Sequence, residues 1–493
     1  MAKRLSCLLW GLVALSARGA FAQTPLVVTP VLSTAPLFSY EDAPATPDAD
    51  DPAIWLNRHN PRKSLVIGTA KDAGLVVYDL SGTLVQAIRP PNAPRILPLD
   101  PPTPAGVNLA QDRPCVDSAN RETFGRYNNV DIGYNITLDA DSSPRRVDVA
   151  VVSDRGCDRI RFYAIDPLRA QGPLVDITAP DVPRVFPTRF DQPSALQPSG
   201  AIEGWTANSV DDQNTAYGLT VAQRHGNEVF VSSRARGLVR QLRILPVPGG
   251  RLTYDLKRTF LFDTSFDLTD EQGAHYAWTP CREAVSEEPQ SEGLVVDSAN
   301  DTLYVAFETI GLYRLPLRQS LPALVRVSRD QLIEPVTSFG RAYRATPDED
   351  EFECEYDPAG QPSGGDIEAP GSPANAGRFI QADLEGLSVV ATAPGQTLML
   401  ASSQGNSSFH FYLIGRTKTR HLGMFFVDGV GDTDGVHYLP VAVSPRYPLG
   451  LLVVQNGEAP EPDDTQPING FEFDGATQFK YIDFRDTLKA LLP

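Results

Sequence analysis

Short apolar runs rich in Val, Leu, Ile, Tyr and Phe recur along this chain, each bounded by Gly, Pro, Asn or Asp. Runs of that kind read as strands, and no long stretch carries the periodicity of an amphipathic helix. The runs also form a repeat. A start residue opens a first strand, a turn leads to a second strand ending in small residues, and a third strand follows a tight connection. The six copies start at Asp51 (DPAIW), Asp131 (DIGYN), Tyr217 (YGLTV), Glu292 (EGLVV), Glu385 (EGLSV) and Asp434 (DGVHY). Their second strands are SLVIGTAK, VDVAVVSDR, EVFVSSR, TLYVAFE, TLMLASSQ and LGLLVVQN. Repeated strand meanders of this kind make the blades of a propeller. The pattern predicts an all-β, six-bladed β-propeller; a β-sandwich would not account for matching start residues.

The repeat places chemistry before any side chain is seen. If the first two strands of a blade are antiparallel neighbours, the start of one and the end of the next lie at the same rim. The starts are carboxylates in every blade but the third, where Tyr217 stands. The second strands end in Lys71, Arg155, Arg234, Glu308, Gln404 and Gln455 or Asn456. One rim therefore gathers acids beside a basic half. Asp50, Asn129, Asp383 and Asp428 lie close to the start residues in sequence and add further oxygen donors. Oxygen-only ligands at this density suit calcium, whereas zinc favours His and Cys. Packing so many carboxylates without a cation is costly through mutual repulsion. A phosphate ester held by calcium and by Lys71, Arg155 and Arg234 could be attacked by metal-activated water, with no Ser, Cys or His nucleophile.

Length and charge narrow the picture. The 493 residues could make several domains, but the repeat runs through them as one. Residues 1–22 read as a secretory signal peptide, with Lys3 and Arg4 before an apolar run and Ala20-Phe21-Ala22 as the cleavage site. Residues 23–493 then form a single propeller domain with long insertions at about 88–127 and 340–380. The acidic stretch Asp348 to Asp357 reads as a solvated surface loop. No later stretch is long and apolar enough to span a membrane, so a secreted protein, extracellular or periplasmic, is expected. A net charge of −18 argues against nucleic acid and anionic membranes as partners, and a monomer is expected. Beyond the signal lie Cys115, Cys157, Cys281 and Cys354, which permit three pairings. We favour Cys115 with Cys157 and Cys281 with Cys354, because each pair would staple neighbouring long loops.

Several segments resemble the bacterial β-propeller phytases, also called alkaline phytases. They are Asp50 to Trp55, Asn128 to Ile132, Gly74 to Tyr78, Asp383 to Leu387, Ala401 to Ser408 and Asp432 to Gly435. The resemblance implies a secreted phosphoric monoester hydrolase of the 3-phytase type, acting on phytate or calcium-phytate with several structural and catalytic calcium ions. By motif it makes Asp50, Asp51, Glu292, Asp383 and Glu385 calcium ligands, with Asn129, Asp131, Glu308 and Asp434 close by. It gives phosphate binding to Lys71, Arg155, Tyr217 and Arg234, and structural calcium to Asp428 and the Gln455 to Glu458 segment. Asp72 stands where better-known members carry a second Lys, and Arg234-Ala235 replaces a Lys-Glu pair.

Other functions fit less well. Arg224-His225-Gly226 imitates the start of the histidine acid phosphatase motif but lacks its further Arg and Pro, and reads as a hairpin turn. A calcium-dependent propeller lactonase would need one deep calcium and no triad of cations. A non-catalytic exported propeller that binds polyanions or glycans has little use for so many calcium-type acids.

Overall fold

The computed structural model describes residues 26–41, 43, 46–90, 115–116, 122–138, 145–186, 215–222, 227–234, 236–281, 289–317, 320–348, 351–356, 374–460 and 471–491. The signal segment and Arg224, His225 and Gly226 lie outside them.

The expected repeat is a ring of six antiparallel sheets. The innermost strands are Pro52–Trp55, Tyr127–Thr137, Ala216–Ala222, Leu294–Asp297, Leu384–Ala393 and Val436–Leu439. Each pairs with the second strand of its blade, and the second strands are buried almost throughout. Strands covered on both faces read as near-continuous apolar runs, which is why the second strands stood out in the sequence. Neighbouring innermost strands touch all the way round, blade six closing on blade one.

Two features close the ring. The N-terminal strands Leu32–Ser33 and Leu37–Tyr40 pair antiparallel with Phe473–Asp483, the outer strand of blade six. Leu26–Val28 joins blade five as a parallel fifth strand beside Thr419–Val427. The two ends of the chain are thus woven into the last two blades. These strands are too short and their partners too far along the chain for local pattern to reveal them.

The second feature lies at the hub. In blades three to six the start residue is followed by glycine: Gly218, Gly293, Gly386 and Gly435. A Cβ on Gly218 would stand 1.9 Å from the Glu292 carbonyl oxygen, and one on Gly293 2.0 Å from that of Glu385. The missing side chain lets each inner strand press against the backbone of the next blade's start residue. Hydroxyls at the ends of second strands tie blades together there: Thr69 donates to Asn128 O, Ser232 to Ser291 O and Ser402 to Asp434 O.

The acidic segment differs from its sequence reading. Tyr343–Asp348 and Glu351–Tyr356 form a two-stranded antiparallel hairpin rather than an irregular loop. The period-two alternation of Glu with Phe, Cys and Tyr over residues 351–356 favours a strand, and it outweighs the charge.

Replacing Gly293 by Ala should destabilise the protein by about 1–3 kcal/mol, the usual cost of overpacking. Gly415→Ala, whose added Cβ would meet only Lys418 O at 3.4 Å, serves as the reference. Urea unfolding of the two variants checks this, and equal stabilities would contradict the close packing at the hub.

Candidate active site

The blade starts and second-strand ends converge on one rim. Asp50, Glu292 and Asp434 bring carboxylate oxygens within 4.8 Å of one another, and so do Glu292, Glu308 and Glu385. Glu292 belongs to both groups and links them. All five are buried, Asp50 being only 1% exposed. Backbone ladders fix them in place: Glu308 N donates to Gln290 O, Leu384 N to Glu308 O, and Asp50 N to Thr69 O. Gln455 locks the seam between the last and first blades. Its Oε1 accepts from Asp434 N at 2.7 Å and its Nε2 donates to Ala49 O at 3.1 Å.

The electrostatics of this cluster are adverse. Burial, then the neighbouring carboxylates, pushes Glu385 and Asp434 well above the usual carboxylate range. Burial also raises Asp51, opposed by the hydrogen bond from Val130 N and reinforced by Asp50 and Glu292. Glu292 is raised by burial and by Asp50, although Tyr217, Lys71 and Arg155 favour its charge. Both oxygens of Asp50, Oε2 of Glu385 and Oδ1 of Asp434 are buried and accept no hydrogen bond from the described residues. Among the described residues the relief at Asp50 is a 3.4 Å ion pair from Lys71 Nζ to Oδ1. Buried, unsatisfied, mutually repelling carboxylate oxygens are what a hard divalent cation would neutralise. The donor set passes the test for calcium: it is all oxygen, largely anionic, and grouped around a shared Glu292.

The basic half stands beside it. Burial disfavours the charge on Lys71, but Asp50 and Asp48 outweigh that and its pKa ends up raised. Its ammonium lies 2.5 Å from Asp48 Oδ2, and its backbone sits in the left-handed region at φ 41°. Arg155 and Arg234 both approach the Tyr217 ring, at 5.6 and 5.8 Å from its centroid. Arg155 is lowered to about 10 by burial and then by the charges of Arg234 and Arg126. Two cations crowded around one aromatic ring suit an anion, and the ring offsets part of their repulsion. Asn128 links the halves, with Nδ2 donating to Glu292 Oε1 at 2.8 Å while its Oδ1 accepts from Arg155 at 3.2 Å.

Other predicted residues divide. Asn129 is buried, and its Oδ1 accepts from Asn128 Nδ2 at 2.9 Å. Asp383 lies next to Glu385, where its charge acts on that group. Asp131 turns toward blade three, accepting from Ile132 N, Thr220 Oγ1 and Val221 N. It lines, with Asp51, a channel of about 430 Å³ whose walls come from the innermost strands of all six blades. Asp428 is exposed and belongs to neither carboxylate group found among the described residues. Sequence reasoning missed Asp48, which meets Lys71, and the ion pair of Arg126 with Asp72. Both involve residues outside the start and end positions of the repeat.

Residues 2–90 and 330–480 match the family model for phytase. Those stretches contain Asp50, Asp51, Lys71, Asp383, Glu385 and Asp434. A 3-phytase of Bacillus subtilis (strain 168) is 25% identical over 452 residues, spanning 90% of this chain and 81% of that protein. Among solved structures, a periplasmic gluconolactonase of Pseudomonas aeruginosa is 10% identical with a TM-score of 0.31, over 77% of this chain and 70% of that one. A putative 6-phosphogluconolactonase of Bacteroides fragilis is 9% identical with a TM-score of 0.30, over 72% and 67%. Likenesses at these scores say nothing about activity. The resemblance to phytases read from the motifs is borne out by the family match and the Bacillus relative.

The raised carboxylates give a pH signature. An acid whose pKa is higher folded than unfolded binds more protons in the native state, so stability falls as pH rises through that interval. Here the interval begins near the ordinary carboxylate value of about 4 and extends upward. Calcium should cancel this loss, so the gain in Tm from calcium over chelated protein should widen between pH 5 and pH 8. Differential scanning fluorimetry reads it, and a gain independent of pH would contradict the adverse electrostatics.

Proposed function

We propose that this chain, which resembles the phytases, is an exported, calcium-dependent phytase of the 3-phytase type. The observation that carries the reading is the pair of carboxylate groups sharing Glu292, set directly beside Lys71, Arg155 and Arg234. A polyanionic phosphate ester needs cations on several sides, and one rim offers both kinds.

Asp50, Glu292 and Asp434 would hold one calcium, and Glu292, Glu308 and Glu385 another, with Asp51, Asp383 and Asn129 adjacent. Calcium bound there supplies charge that neutralises the phosphate and lowers the pKa of water. Arg155 and Arg234 bind phosphate oxygens by charge-assisted hydrogen bonds, and Tyr217 holds the two guanidiniums in place. Lys71 adds a third cation, oriented by Asp48. Glu292 sits where it meets Asn128, Tyr217 and both carboxylate groups, so it fixes the register of the whole constellation.

Export and disulfide bonding belong to the same proposal. No helix among the described residues is long and apolar enough to cross a membrane. Cys157 and Cys281 are buried, and Cys115–Cys157 and Cys281–Cys354 are the proposed pairs. Asp428 and the Gln455 to Glu458 segment are proposed to hold structural calcium, and the protein is proposed to act as a monomer.

The test is phosphate release from phytate by purified protein, with calcium and after thorough chelation. Release should require calcium, and activity that survives chelation would overturn the mechanism. Glu292→Gln should lower kcat by on the order of 100-fold or more, the scale of losing a preorganised electrostatic contact. Wild-type turnover in that variant would refute the site.

A further inference from the structure

The lead-in to the second blade carries a cation that neither the repeat nor the motifs assign. Arg126 stands two residues before Asn128, and its Nη1 lies 3.4 Å from both oxygens of Asp72. Asp72 directly follows Lys71, and Arg126 O accepts from Arg155 N at 2.7 Å. Tyr127 N donates to Lys71 O at 3.1 Å. The backbones bearing Lys71, Arg126 and Arg155 are therefore tied directly to one another, and Arg126 lies close enough for its charge to act on Arg155.

This segment is built to hold a position. Asp154 Oδ1 accepts from Arg126 N and from Cys157 N, both at 3.1 Å, while its Oδ2 pairs with the fully buried Arg161 at 2.9 Å. Gly156 lets the turn after Asp154 lie flat on the lead-in, since a Cβ there would stand 2.1 Å from Phe124 O. The guanidinium itself is held less tightly. At 3.4 Å, both contacts to Asp72 are longer than the 2.7–2.9 Å of a strong charge-assisted pair. Its side chain is 35% exposed while that of Asp72 is 11% exposed, so the cation reaches toward solvent from a sunken carboxylate. Buried Asp72 orients Arg126 without using up its donors.

We propose that Arg126 is a further anion-binding residue at the outer edge of the basic half, and that Asp72 is its positioning residue. The ligand class is an ester carrying several phosphates: Arg155 and Arg234 grip the phosphate at the rim, and Arg126 grips another on the same molecule. A simple monophosphate ester has no group to offer Arg126. The proposal rests on the phosphatase reading of this rim and adds a source of preference for polyphosphorylated substrates.

Steady-state kinetics of Arg126→Ala on phytate and on p-nitrophenyl phosphate tests it. The phytate to monophosphate ratio of kcat/KM should fall by about tenfold, carried by a higher KM for phytate, with Arg126→Lys recovering part of it. Asp72→Asn should lower the ratio less, because it loosens the cation without removing it. A ratio unchanged in Arg126→Ala, or a fall in kcat shared equally by both substrates, overturns the assignment. If the wild-type protein releases no phosphate, the function proposed above fails on its own. Binding of inositol hexasulfate by calorimetry then decides this question separately: weaker binding to Arg126→Ala sustains it, and equal binding overturns it.

Discussion

The hub of this propeller concentrates negative charge where water is scarce. Asp50, Glu292, Glu308, Glu385 and Asp434 are all buried at one end of the axis. Isolated carboxylates in such a place shed their charge or recruit a partner. Lys71 serves Asp50, and Tyr217 and Asn128 serve Glu292, yet among the described residues oxygens of Asp50, Glu385 and Asp434 find no hydrogen-bond donor. Such groups persist only when surrounding structure over-determines them, as functional sites generally do.

That structure is the ring itself. Inner strands of blades three to six press on the next through a glycine. Hydroxyl-to-carbonyl bonds tie blade one to two, three to four and five to six, and Asp131 ties blade two to three, so a start residue that withdraws opens a seam. Closure is completed by strands from the N-terminus pairing with the last long strand. The repulsion at the hub is thus borne by six hydrophobic blades and by the weave that joins the chain's two ends. The same geometry that forces the acids together sets the cations of blades one to three beside them. A site with opposite charges on adjacent sectors suits a ligand that is itself highly charged and needs both metal and protein contacts.

Much of this was legible because the repeat is periodic. Position in the repeat places Asp51, Glu292, Glu385 and Asp434 at strand starts and Lys71, Arg155, Arg234 and Glu308 at strand ends, and antiparallel pairing does the rest. What escaped lies off the period. Asp48 meets Lys71 because the lead-in before the first blade bridges to it through Pro47. Arg126 comes from the end of an insertion, and its pairing with Asp72 depends on how two loops from different blades cross. Asp131 shares the start position of its blade but turns to satisfy Thr220 and Val221, a choice that register alone does not dictate. The N-terminal strands pair with residues more than 400 positions away, beyond any local pattern.

The central claim is that the two carboxylate groups act as one cation-holding unit through Glu292. Isothermal titration of chelated protein with calcium measures this most directly, comparing wild type with Glu292→Gln. The account predicts more than one ion bound at the wild-type rim and the loss or severe weakening of at least two together in the variant. Unchanged stoichiometry and affinity in Glu292→Gln, or no calcium binding by the wild-type protein, would contradict it.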